Sequence, residues 1–307
     1  MGFGEVRLIP VNGRGPEDVL VDTDGRIYTG LDDGRILRIS PDGRRIDTIA
    51  DTCGRPLGLE FHGEGELLVC DANAGLLVVE LAGGKVTELA AEALGRRLLF
   101  CNNAAVAVDG TIYFTDSSCR FPLAQWREDL IERTGTGRLL RRATDGAIEL
   151  IADGLQFANG VALAPDESFV AVAETGGYRV RRVGLSEPGE SLLIDGLPGF
   201  PDNISTGSDG LIWITQASPR VPALEFVQKL PAFLRAGVRR MPRWAQPKPA
   251  RTVGVLGVGP DGRVVHELSG EIEGFTMLTG VRERAGTLYF GSLVGTSTAV
   301  TSLPPVS

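Results

Sequence analysis

Short apolar runs broken by tight polar turns recur along the whole chain. Six share one layout, an apolar strand, a turn and a second apolar strand: VLVDTDGRIYTG, LEFHGEGELLVC, VAVDGTIYFTD, ALAPDESFVAVAE, STGSDGLIWIT and GVRERAGTLYFG. Their turns contain Gly25, Gly65, Gly110, Glu167, Gly210 and Gly286, spaced by 40, 45, 57, 43 and 76 residues. A period near forty to fifty, rich in Asp-Gly turns, suits a four-stranded propeller blade. A blade cannot bury both faces alone, so six units predict one closed ring. A β-sandwich with coincidental hairpins is the alternative, and the regular spacing disfavours it. The expected fold is all-β, a single six-bladed β-propeller domain spanning residues 1–307. In the first blade the strands fall near 18–22, 26–30, 34–39 and 44–50. EVRLI, near the N-terminus, can pair with the final hairpin, completing the last blade and hiding two sheet edges.

Strands alternate direction, so the loops entering the innermost strands share one face of the ring, here the top. The hairpin turns lie at the bottom. Eight residues before the turn marks stand Glu17, Leu57, Asn102, Asn159, Asp202 and Leu278. Equivalent positions in a radial array converge on the axis, so Glu17, Asn102, Asn159 and Asp202 should face one another. Two carboxylates and two amides there repel or stay unsatisfied unless a cation joins them. Oxygen donors without His or Cys favour a hard cation, Ca²⁺ before Mg²⁺, with positions left for water or substrate. Any one of these residues is more simply explained as a loop cap. Four in one register point to the ion.

The histidines do not serve this site: His62 falls near a bottom turn and His266 in an outer strand. No G-x-S-x-G occurs, and Ser117-Ser118 has no neighbouring base. Metal-assisted chemistry remains, with a carboxylate as base or nucleophile. Asp202 is the first candidate because Asn203 adds a polar group beside it; Glu17 competes. Leu57, Asn103, Trp126, Asn203 and Leu278 are the expected pocket residues.

The two long intervals hold the helix-like segments. Residues 122–132, PLAQWREDLIE, space Leu123, Trp126 and Leu130 as a helix would. Residues 222–241 form an amphipathic stretch interrupted by Pro231, with Phe226, Leu230, Phe233, Leu234 and Met241 as its expected apolar contacts. Both follow the second strand of a blade, so both should rise on the top face as lids over the channel. Lys229, Arg235, Arg239, Arg240 and Arg243 stand against Glu225 alone, a pattern that can also rest on a membrane or bind a partner. Pro231 breaks the continuous face, so the lid is preferred.

Composition narrows the partners. A net charge of −8 argues against nucleic acid, which demands a basic face. Cys53, Cys70, Cys101 and Cys119 show no C-x-x-C spacing, so thiols are expected rather than zinc. MGFGEVRLIP lacks the apolar core of a signal peptide, and the expected location is cytoplasmic.

Together CGRPLGLEF, IYFTDSS, GRLLR, FANGVAL and LPGFPDNIS resemble the strictosidine synthase-like family, which includes adipocyte plasma membrane-associated proteins. The similarity runs through nearly the whole chain. That family sits in a six-bladed propeller superfamily with gluconolactonases and paraoxonases. The resemblance implies a channel Ca²⁺ held by Glu17 in GPEDV, Asn102 in CNNAA, Asn159 in FANGV and Asp202 in FPDNI, the set also reached from the register. It further implies hydrolysis of lactones or aryl and other carboxylic esters, with phosphotriester hydrolysis as a side activity. The expected partner is thus a small-molecule ester or lactone. Two departures stand out. Hydrolytic relatives often carry Asn-Asp where this chain has Asn102-Asn103. Plant strictosidine synthase condenses an amine with an aldehyde using a Glu from its last blade, whereas GFTMLTGV has no acid between Phe275 and Val281. A condensing enzyme using the same pocket and a non-catalytic scaffold with a structural Ca²⁺ are the alternatives.

Overall fold

Each apolar run forms the two inner strands of an antiparallel sheet, and two further strands complete it. A computed structural model describes residues 1–186, 189–242, 246 and 250–304 of the chain. Six four-stranded sheets form the blades of a propeller. The innermost strands are Leu20–Val21, Pro56–Phe61, Cys101–Val106, Ala158–Leu163, Gly199–Thr206 and Leu278–Arg284. Blade one continues outward through Ile27–Gly30, Arg35–Ile39 and Ile46–Asp51, close to the expected ranges. Val6–Pro10 pairs antiparallel with Ser297–Ser302, so the N-terminal segment supplies the outermost strand of blade six and closes the ring.

The six turn marks share a backbone state. All have positive φ, from 54° at Glu167 to 88° at Gly110. Glycine adopts this readily, whereas a residue with a side chain is destabilised by roughly 1 kcal/mol or more. Glu167 offsets the strain through its carboxylate, which accepts a 2.8 Å hydrogen bond from the Val108 amide of the preceding blade.

The apolar faces of the blades meet at the seams between them. Tyr28, Ile36, Leu67 and Val69 join blades one and two, while Leu68, Cys70, Phe114 and Leu140 join two and three. Between blades five and six Trp213 is fully buried, and His266 stacks on it at 5.5 Å, which accounts for that histidine structurally. The four cysteines are free thiols.

Among the described residues the insertions form three α-helices: α1 (Trp126–Glu132), α2 (Pro222–Gln228) and α3 (Ala232–Arg239). Pro231 divides the second insertion by standing at the N-cap of α3. Gln228 Nε2 donates to the Leu130 carbonyl at 2.9 Å and ties α2 to α1. The expected apolar contacts of this insertion need correction. Phe226, Phe233, Leu234 and Met241 are exposed, while Leu224 and Gln228 are buried. Arg243 lies outside the described residues. Among the described residues no helix is long and apolar enough to cross a membrane.

Candidate metal and substrate site

The site begins with a repeated irregularity. Cys101 pairs with Asp116 and Ala104 with Phe114, so Asn102 and Asn103 together oppose one residue, Thr115. The innermost strands of blades two, four, five and six break register in the same way. Such a bulge kinks the strand and re-aims its side chains. Threonines of the second strands fasten it: Thr115 Oγ1 donates to the Asn159 carbonyl at 2.7 Å, and Thr215 Oγ1 lies 2.9 Å from Asn203 O and 3.0 Å from Thr279 O. Their signal was in the sequence, as the threonines ending IYT, IYFT and IWIT.

In blades one to five the first residue of the pair at this point lines the pocket and the second does not, while in blade six Thr279 is fully buried and donates to the Glu17 carbonyl. Around the ring the pairs are Glu17-Asp18, Leu57-Gly58, Asn102-Asn103, Asn159-Gly160, Asp202-Asn203 and Thr279-Gly280. Blade six therefore differs from expectation by one residue. Its hairpin is a two-residue turn, Ala285-Gly286, with both φ values positive, and Arg284 pairs directly with Thr287. That shorter turn displaces the eight-residue offset onto Leu278, which is fully buried in the seam rather than lining the pocket.

The lower positions alternate between a polar side chain and glycine, for a steric reason. A Cβ on Gly58 would stand 2.6 Å from Asn103 Cα, one on Gly160 2.6 Å from Asn203 Cα, and one on Gly280 2.7 Å from Asp18 Cα. Each polar residue thus fills the place its glycine neighbour leaves open. Asn103 and Asn203, expected in the pocket, form its floor instead. Asn103 Oδ1 accepts from Val161 N at 3.0 Å, and Asn203 Nδ2 donates to both Glu17 carboxylate oxygens at 3.1 Å. Asp18 accepts from Leu59 N at 3.0 Å and lies 3.7 Å from Arg282, whose guanidinium also pairs with Glu60 at 3.2 Å. Sequence reasoning missed Asp18 and Arg282; their separation along the chain hides a contact made between the first and last blades where the ring closes.

Glu17, Asn102, Asn159 and Asp202 all line one pocket above this floor. Asn102 Nδ2 is held by Ser117 Oγ at 2.8 Å and Asn159 Nδ2 by Thr175 Oγ1 at 3.1 Å. These bonds orient the amides and leave Asn102 Oδ1 and Asn159 Oδ1 buried without a partner. Burial, then the neighbouring Asp202 and Asp18, raises Glu17 well above the usual carboxylate range against the pull of Arg55 and Asn203. Asp202 is pushed up to about 7, chiefly by burial, although the Asn159 side chain and the Asn203 amide stabilise its anion. Two strained carboxylates beside two orphaned carbonyl oxygens fit a hard divalent cation. Among the described residues no cluster of three or more His, Cys, Asp or Glu is arranged to hold a metal. A cation here would depend on the amides as much as on the carboxylates.

The pocket encloses about 870 Å³ of atom-free space, its mouth included. Leu57 lines its base, and Phe100 packs edge-on against Phe157 at 5.3 Å in its wall. Trp126 and Leu130 from α1 and Leu224 from α2 also line the pocket, so both insertions meet the face bearing Glu17, Asn102, Asn159 and Asp202. Neither histidine lines it.

A six-bladed propeller with a polar cluster under an apolar mouth is the class these observations define. The family description "Strictosidine synthase" matches residues 102–188, and "Strictosidine synthase-like, N-terminal" matches residues 4–39. The adipocyte plasma membrane-associated protein of Rattus norvegicus is 33% identical over 93% of this chain and 82% of its own length. Its counterpart from Salmo salar is 38% identical over 71% of this chain, which spans 58% of that relative. The chain belongs to the strictosidine synthase-like family. Among solved structures, a gluconolactonase from Xanthomonas campestris superposes with a TM-score of 0.71 at 18% identity, covering 99% of this chain and 91% of its own. The calcium-binding protein regucalcin from Agrobacterium tumefaciens gives 0.68 at 15% identity, covering 99% and 95%. At these identities the structures share the fold.

Proposed function

We propose that this protein is a Ca²⁺-dependent hydrolase of lactones or of aryl and other carboxylic esters. The observation that carries the reading is the meeting of two raised carboxylates with two unpartnered amide oxygens beneath an apolar pocket. Glu17, Asn102, Asn159 and Asp202 would hold the ion. Bound Ca²⁺ supplies polarisation of a substrate carbonyl and a counter-charge for the oxyanion. Asp202, near neutrality and open to the pocket, can take up and release a proton where a general base is most effective. Glu17 is tied by both oxygens to Asn203, which suits it to holding rather than proton transfer. Trp126, Leu130 and Leu224 seat the apolar part of the substrate and exclude water. The fold-level likeness to a gluconolactonase and to a calcium-binding regucalcin supports this reading.

Family membership favours a second reading, condensation of an amine with an aldehyde. The last blade gives the pocket only Met277 and Leu293 among the described residues, and neither can exchange a proton. Hydrolysis is therefore preferred. A panel of lactones and aryl esters, assayed with chelator and again after Ca²⁺ is restored, tests it. Turnover that disappears and returns with the ion is the expected result. Loss of thermal stability on chelation without turnover on any substrate would identify a scaffold instead.

A further inference from the structure

Helix α3 turns its charged side inward and its apolar side out. On the protein side, Arg239 pairs with Glu132 at 2.5 Å and lies over the Phe121 ring at 5.4 Å. Arg235 donates to the Gln228 carbonyl at 3.2 Å, and Val238 packs against the buried cluster beneath the lid. The outer side presents Phe233, 73% exposed, and Leu234, 44% exposed, and Met241 is exposed just past the end of the helix. On α2, Phe226 is 65% exposed. Large apolar side chains gathered on one insertion mark a contact surface, because leaving each in water forgoes the stabilisation burial provides.

Charge selects the partner. Lys229 and Arg240 are exposed among these apolar residues, and among the described residues neither has an ion pair. Glu225, the acid of α2, is engaged by Arg220 at 3.6 Å. Free cations beside exposed aromatic and aliphatic side chains complement an anionic lipid surface locally, against the overall negative charge of the chain. We propose that the α2–α3 insertion docks this protein on anionic membranes. Phe226, Phe233, Leu234 and Met241 enter the acyl boundary, and Lys229 and Arg240 meet the headgroups. Pro231 does not prevent this, since α3 carries its apolar face alone. The lid and docking roles use different residues: Leu224 lines the pocket while Phe226 stands in solvent. Docking would therefore hold the pocket mouth close to the lipid.

Co-sedimentation with vesicles of phosphatidylcholine alone, or with about 30% phosphatidylserine, tests the proposal. Two basic residues near an anionic surface correspond to roughly a thirtyfold preference for the serine-containing vesicles, weakened by salt. Phe233→Ser with Leu234→Ser should reduce binding about tenfold or more, the loss expected when two apolar side chains no longer leave water. Lys229→Glu with Arg240→Glu should abolish the lipid preference. All four positions are exposed, so unchanged melting curves should accompany both effects. The proposal is overturned if the protein ignores anionic vesicles or if the variants bind as well as the parent. It is also overturned if the parent is a dimer in solution that the Phe233→Ser, Leu234→Ser pair converts to monomer, which would make a second copy the occupant.

Discussion

Replacing Asp202 by Asn should strengthen the cation-free protein while weakening its hold on Ca²⁺. The substitution keeps size and one carbonyl oxygen but removes a charge that burial and Asp18 both oppose. A rise from 3.8 to about 7 corresponds to roughly 4 kcal/mol of destabilisation from keeping the carboxylate ionised at pH 8. Part of Asp202 remains open to the pocket, and solvent screening reduces this to about 2 kcal/mol. Urea denaturation in chelator should accordingly show Asp202→Asn more stable than the parent by about 2 kcal/mol at pH 8, and by much less at pH 5. Calorimetric titration should show weaker Ca²⁺ binding. On any ester the parent hydrolyses, turnover should fall roughly 10²–10⁴-fold and remain low at saturating Ca²⁺ if Asp202 is the base. Equal destabilisation at both pH values would refute the electrostatic reasoning, since the carboxylate would then be making net favourable bonds in the empty protein. Full rescue by Ca²⁺ would confine Asp202 to ligation.

Glu17, Asp18 and Asp202 all have folded-state values raised above the ordinary range, so the folded protein binds the extra protons. In chelator its melting temperature should fall as pH rises through the window from about 4 to about 7, and Ca²⁺ should reverse the fall; a flat or rising profile would contradict the assignment. Gly160→Ala should cost about 1–3 kcal/mol in urea denaturation, because the new Cβ meets the Asn203 backbone. Gly254→Ala, whose nearest neighbour would lie at 3.4 Å, is the control, and equal costs would remove the steric account of the alternating floor.

Much of this architecture is local and therefore readable. A hairpin turn needs a left-handed residue, and the strand before it has a nearly constant length, so Gly25 through Gly210 mark a register that also locates Glu17, Asn102, Asn159 and Asp202. The same dependence on turn length explains the slip at Leu278: Ala285-Gly286 shortens the blade-six hairpin by one residue, and Thr279 takes the equivalent place. The pocket floor was not readable in this way. Asp18, Asn103 and Asn203 acquire their roles from glycines and amides on other blades, and Arg282 meets Asp18 only because the ring closes. The orientation of α3 has the same origin. Its amphipathic pattern established that a face exists, and the ordinary expectation turns the apolar side inward. Arg239 pairs with Glu132 on α1 and Val238 packs on the buried cluster, so the inward side of α3 is held by contacts between segments far apart in the chain. Sequence determined the periodic backbone and the candidate ligands because those depend on neighbours along the chain. Tertiary structure decided the floor, the sixth position and the exposed helix face because those depend on neighbours across space.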